Sequence, residues 1–129
     1  VSIKVDVDDK ILVQMDPQAF EQVLTNLLEN AAKYSSKDTE TMVKIRSRKI
    51  GSVVRFEIED NGIGISPEDR ERVFERFFRA QNKNTLSTSG TGLGLSIVKN
   101  LVNLMGGSVG NEQAHPKGTI FWFSLNSSN

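Results

Sequence analysis

The sequence predicts an α/β domain, a two-layer sandwich in which a mixed β-sheet is covered on one face by three helices. Three observations carry this reading. Several short segments alternate apolar and polar residues, others space their apolar residues at three and four, and the two kinds interleave as strand, strand, helix, hairpin, short helix, loop, helix, hairpin. A helix has one apolar stripe, so this order is satisfied by laying the helices on one side of the sheet. At 129 residues the chain fits a single domain over 1–129.

The elements follow in order. Ile3, Val5 and Val7 alternate with Lys4 and Asp6, and a second apolar run covers 11–15, so two strands are expected to open the chain. Asp16 then Pro17 reads as an N-cap and a first-turn proline. Phe20, Val23, Leu24, Leu27, Leu28 and Ala31 continue at helical spacing to about Tyr34. Val43 and Ile45, then Val54, Phe56 and Ile58, alternate across a turn at Gly51 and predict a hairpin. Ser66, Pro67 and Asp69 open an expected short helix carrying Val73, Phe74, Phe77 and Phe78, aromatic residues whose helical spacing points to core packing. A polar stretch between Arg79 and Gly90 reads as a lid-like loop. From Leu93 to Met105 helical spacing returns, stopped by Gly106 and Gly107, and a last strand covers Thr119 to Leu125.

Composition removes several function classes. Lys plus Arg equals Asp plus Glu at 16 each, so no net field draws the chain to nucleic acid or anionic lipid. With no cysteine there is no disulfide framework and no thiolate metal site, as suits a reducing, cytoplasmic setting. No apolar run reaches the roughly 20 residues that span a bilayer. The chain is expected to be soluble and to be a piece of a longer protein.

Three constellations carry chemistry. Asn26, Asn30 and Lys33 stand at i, i+4 and i+7, within about 60° of arc on the first helix. An amide oxygen can ligate Mg²⁺ and a lysine balances phosphate charge, although such a stripe is also what a solvated helix face looks like. Asp60, in DNGIG, follows Val54, Phe56 and Ile58 onto the inward face of its strand. A buried carboxylate needs a donor, which an adenine amino group could supply, or the motif is a strand-ending Asx turn. Gly90, Thr91, Gly92, Leu93 and Gly94 precede a helix whose N-terminal amides suit phosphate. Neither a Rossmann fingerprint nor a P-loop is present.

Together these segments resemble the catalytic, ATP-binding domain of sensor histidine kinases, in the superfamily of gyrase, Hsp90, histidine kinases and MutL. NLLENAAKY at 26–34 looks like the N box, DNGIGI at 60–65 the first G box, FERFFR at 74–79 the F box and GTGLGLSIVK at 90–99 the second G box. The resemblance implies a Bergerat-type ATP-binding fold with ATP and Mg²⁺ as cofactors. It implies Asn30 as the metal ligand, with Asn26 and Lys33 supporting metal and phosphates, and Asp60 on the adenine amino group. Gly62, Ile63, Gly64 and Ile65 would form the adenine pocket, with Tyr34 packed near the nucleotide. Thr91, Gly92, Leu93, Gly94 and Leu95 would present backbone amides to the phosphates, and Arg79 and Lys83 would reach them from the lid.

Gyrase-type and Hsp90-type relatives place a water-activating glutamate four residues before the metal-binding asparagine, where this chain has Asn26. An amide is no general base, so the resemblance favours phosphoryl transfer over hydrolysis. The acceptor would be a histidine on a separate helical dimerisation and phosphotransfer domain of the same kinase, with onward transfer to a response regulator receiver domain. His115, in AHPKG, reads as a surface turn residue. The isolated chain would be a monomer and the full protein a homodimer, anchored where the kinase requires it in the inner membrane. The alternatives are a nucleotide-sensing module without transfer activity and a serine kinase of the anti-sigma type.

Overall fold

The structure is a computed structural model that describes every residue except 1, 9, 11–12, 37, 77–93 and 129. Its element order is β1 (Ser2–Asp6), α1 (Pro17–Lys33), β2 (Met42–Ile50), β3 (Val53–Asp60), α2 (Gly94–Leu104), β4 (Ser108–Gln113) and β5 (Thr119–Asn126). One five-stranded sheet runs β1-β2-β3-β5-β4. The β1–β2 pair is parallel, joined across α1, and the other neighbours are antiparallel, so the sheet is mixed as expected.

Helix α1 begins where its cap permits. Asp16 Oδ1 accepts from the backbone N–H of Gln18 at 3.0 Å, and Pro17 occupies a position whose missing N–H costs no hydrogen bond. Its apolar stripe lies on the sheet, with Val23, Leu27 and Ala31 buried beside Ile58, Phe121 and Phe123. Phe20 pins the first turn, its ring 5.2 Å from Phe56 and 5.8 Å from Phe123, edge-on in both pairs. Helix α2 buries Leu95, Val98 and Val102 against the same core and packs beside α1. It ends as the glycines indicated, with Gly107 N–H donating to Val102 O at 2.9 Å.

Two expected elements take another form. Among the described residues two helices cover the sheet, and the third, expected from Ser66, is a run of turns over 67–76. Arg72 N–H and Val73 N–H both donate to Asp69 O, while Glu75 N–H donates to Arg72 O, so the bonding never settles into one helical register. Asn111 Nδ2 donates to Arg70 O and Arg70 Nη2 donates to Gln113 Oε1, tying this segment to β4 instead. Phe74 joins the core there, edge-on to Phe121 at 6.1 Å, while Phe77 and Phe78 lie outside the described residues. Of the second opening strand, expected over 11–15, residues 11 and 12 lie outside the described residues; the rest shows a bridge between Val13 and Ser127 and a bond from Gln14 N–H to Asn126 O.

The sheet face away from the helices is held by charge. Glu57 is buried among Arg46, Arg48 and Arg55, at 3.2, 3.3 and 3.0 Å, and the Arg55 guanidinium lies 4.5 Å over the Trp122 ring. No helix among the described residues is long and apolar enough to cross a membrane.

Candidate functional site

The described part of the site gathers at one end of the sheet, where the last turn of α1, the end of β3, the β4–β5 turn and the start of α2 meet. The first contact is a docking of backbone on backbone. Ile63 N–H donates to Tyr34 O at 3.0 Å, fixing the DNGIG turn on the C-terminal cap of α1. Gly62 makes that approach possible, because a Cβ there would collide with Tyr34 O. Tyr34 is itself buried, and the Lys33 ammonium lies 5.6 Å over its ring.

Asp60 is the electrostatic centre. It is 3% exposed, and its Oδ1 accepts from Gly62 N–H at 2.9 Å and from Thr119 N–H at 3.2 Å. Among the described residues Oδ2 accepts nothing. Burial pushes the carboxyl up to about 6, the two backbone donors pull it back down, and Glu59 adds a smaller upward push. Among the described residues no cation stands against it, so its second oxygen is open to a further donor. Gly118, at φ +104, brings the β4–β5 turn against Asp60 O so closely that a Cβ would clash.

Asn61, next in the motif, is structural. Its Oδ1 accepts from Met42 N–H and its Nδ2 donates to Glu40 O, both at 2.9 Å, so the segment before β2 is stapled to the turn. The Asx-turn reading is realised by Asp60 itself, whose Oδ1 accepts from Gly62 N–H two residues on.

On α1 the predicted stripe divides. Asn26 is buried and both ends of its amide are engaged, Oδ1 accepting from Gln22 Nε2 at 2.7 Å and Nδ2 donating to Gly94 O at 3.2 Å. Asn30 has a buried amide nitrogen with no partner among the described residues. Rotation of that amide exchanges its ends, so one polar end is available to a ligand whichever way it points. That fits Mg²⁺, which keeps several waters and binds through one or two protein oxygens plus phosphates. No cluster of three or more acidic or histidine residues among the described residues offers a stronger metal site.

Gly94 is exposed at the first position of α2, and a Cβ there would meet none of the described residues within 4 Å. Ile65 and Leu95 are buried in the core cluster, so they are walls of the site. Ile63, Gly64 and Ile65 also line a cleft of about 310 Å³ with Gly118 and Lys117, which neither Asn30 nor Asp60 lines. Arg79, Lys83, Thr91, Gly92 and Leu93 lie outside the described residues. His115 is exposed, as expected for a turn. Two participants escaped the sequence reading. Thr119 holds Asp60 from 59 positions away, which no local pattern signals, whereas Gln22 sits at i−4 from Asn26, a spacing that could have marked it.

The model of the histidine kinase-, DNA gyrase B- and HSP90-like ATPases matches residues 15–129. The sensor histidine kinase AruS of Pseudomonas aeruginosa is 44% identical over 110 residues, which is 84% of this chain and 11% of that protein, so the chain spans about a ninth of that relative's length. Among solved structures, the mycobacterial sensor histidine kinase MprB superposes with a TM-score of 0.85 at 34% identity, covering 98% of this chain and 83% of that one. Full-length ShkA, solved in complex with AMPPNP, superposes at 0.77 with 32% identity, over 98% of this chain and 25% of that one. The sheet order, the two paired helices and the motif-bearing turns are thus a shared architecture, and the chain belongs to the histidine kinase-, DNA gyrase B- and HSP90-like ATPases, as a catalytic, ATP-binding domain of the sensor histidine kinase kind.

Proposed function

We propose that this domain binds Mg-ATP and transfers the γ-phosphoryl group to a histidine on a separate helical dimerisation domain, from which it passes to an aspartate of a response regulator receiver domain. The observation that carries the reading is Asp60, a buried carboxylate with one oxygen held by two backbone amides and the other without a hydrogen-bond partner among the described residues. An adenine amino group is the donor that would complete it. That full-length ShkA was solved in complex with AMPPNP supports nucleotide binding by a protein of similar fold.

Mg²⁺, when bound between Asn30 and the phosphates, would supply charge neutralisation. The chain's own part is positioning: Asp60 orients the base, the DNGIG turn fixes the pocket against Tyr34, and Asn26 ties α1 to the start of α2. Both ends of the Asn26 amide are engaged and neither can take a proton from water, which favours transfer to a partner over hydrolysis. Dimerisation and membrane attachment belong, in this reading, to the rest of the kinase.

The test is incubation with γ-labelled ATP and a histidine-bearing helical hairpin of a related kinase, beside the same hairpin with that histidine replaced by glutamine. Acid-labile label on the first hairpin alone is expected. Label released as free phosphate without the hairpin would point to a hydrolase, and bound nucleotide with no transfer to a nucleotide-sensing module.

A further inference from the structure

Gln22 stands one turn before Asn26 on α1 and faces solvent, where a glutamine ordinarily does little. Here it decides which way a buried amide points. Its Nε2 donates to Asn26 Oδ1 at 2.7 Å, and Asn26 Nδ2 donates to Gly94 O at 3.2 Å, across 68 positions of sequence. The relay has one polarity. A backbone carbonyl only accepts, so Gly94 needs the nitrogen end of Asn26, and the reversed amide would set two oxygens against each other. Asn26 is 9% exposed, so water does little to relieve a mispaired end. Gln22 presents a donor to Oδ1 and thereby holds the orientation that Gly94 requires.

We propose that Gln22 is a positioning residue for nucleotide binding: by fixing the Asn26 amide it clamps α1, which carries Asn30, to the first residue of α2. The two helices supply separate parts of the site, so their relative placement sets how well one ligand meets both. This rests on the reading of the site as an Mg-ATP site. Gln22 need not touch nucleotide, and its effect is transmitted entirely through Asn26.

The polarity makes the idea testable with variants of similar size. Gln22→Glu keeps the shape and loses the donor, Gln22→Met loses it without adding charge, and Gln22→Arg keeps a donor only. Calorimetric titration should show Mg-ATP affinity about three- to tenfold weaker for Gln22→Glu, weaker by less for Gln22→Met, and close to wild type for Gln22→Arg. In an Asn26→Ala background Gln22→Glu should have no further effect, because the residue it acts through is gone. An equal loss in both backgrounds would mean a direct charge or helix effect and would overturn the proposal, as would wild-type affinity in Gln22→Glu.

A second readout needs no nucleotide. The scalar coupling across the Asn26 Nδ2 to Gly94 carbonyl hydrogen bond should be present in the free wild-type chain and lost in Gln22→Glu, and its persistence there also overturns the relay. If wild type bound no Mg-ATP the proposed function would fail, while this coupling would still decide the role of Gln22.

Discussion

Strand β3 carries two buried carboxylates three residues apart and treats them in opposite ways. Glu57, on the open face of the sheet, is surrounded by the guanidinium groups of Arg46, Arg48 and Arg55. Asp60, on the helix side at the strand's end, has two backbone N–H groups on one oxygen and nothing among the described residues on the other. Glu57 is compensated by the protein alone and is part of the architecture. Asp60 has no partner on its second oxygen among the described residues and its pKa is raised to about 6 by burial, which suits the proposed role of meeting a donor from outside. The lesson is that burial by itself does not separate structure from function, whereas the completeness of a buried group's partners does.

The sharpest way to break the comparison is Asp60→Asn. The amide can still accept from Gly62 and Thr119, but its second end donates, so it faces the adenine amino group with the wrong polarity. Mg-ATP affinity should fall by about a hundredfold or more, as expected when a site built to hydrogen-bond a ligand is mispaired. The same change should stabilise the free protein. The folded-state pKa, about 6, lies above the ordinary 3.8, so the folded state binds more protons between those values and wild-type stability falls as pH rises from about 4 to about 6. Above that window the full penalty applies, and removing it is worth up to about 3 kcal/mol at pH 7. Urea denaturation at pH 4 and pH 7 measures this, and in Asp60→Asn that component of the pH dependence should be gone.

Gly62→Ala comes next. The added methyl must displace the Tyr34 carbonyl, so the DNGIG turn leaves α1 and both stability and nucleotide affinity drop, stability by about 1–3 kcal/mol. Glu57→Gln sharpens the contrast from the other side. It strips the charge from a buried carboxylate whose three cations remain, and because Arg48 is 60% exposed and Arg46 30%, the loss should be about 1–2 kcal/mol. Its Mg-ATP affinity should match wild type in the same titration that shows Asp60→Asn to be inert. A large affinity loss in Glu57→Gln would show that the two faces of the strand are coupled.

Much of this was legible in the sequence, for reasons that differ by residue. The inward direction of Asp60 follows from period-two alternation, and the strand keeps it to its last residue. The start of α1 was legible because Asp16 and Pro17 fix it locally. The turns over 67–76 were not. A capping pattern and aromatic spacing argue for a helix there, but Asn111 and Gln113 of β4 compete for the segment from about forty positions away. The burial of Glu57 was equally hidden, since an outward-facing glutamate looks solvated until β2 delivers its arginines in register. The same holds for the site. Asn26, Asn30 and Asp60 could be picked out as polar candidates, but that both ends of Asn26 are engaged depends on Gln22 and on Gly94 across the core.

The most direct test of the account is calorimetric titration of ATP into the wild-type chain with and without Mg²⁺. Saturable binding at one site, strengthened by Mg²⁺, is the predicted result, because among the described residues neither the second oxygen of Asp60 nor the amide nitrogen of Asn30 has a partner. Folded protein that takes up no adenine nucleotide in either condition would contradict it.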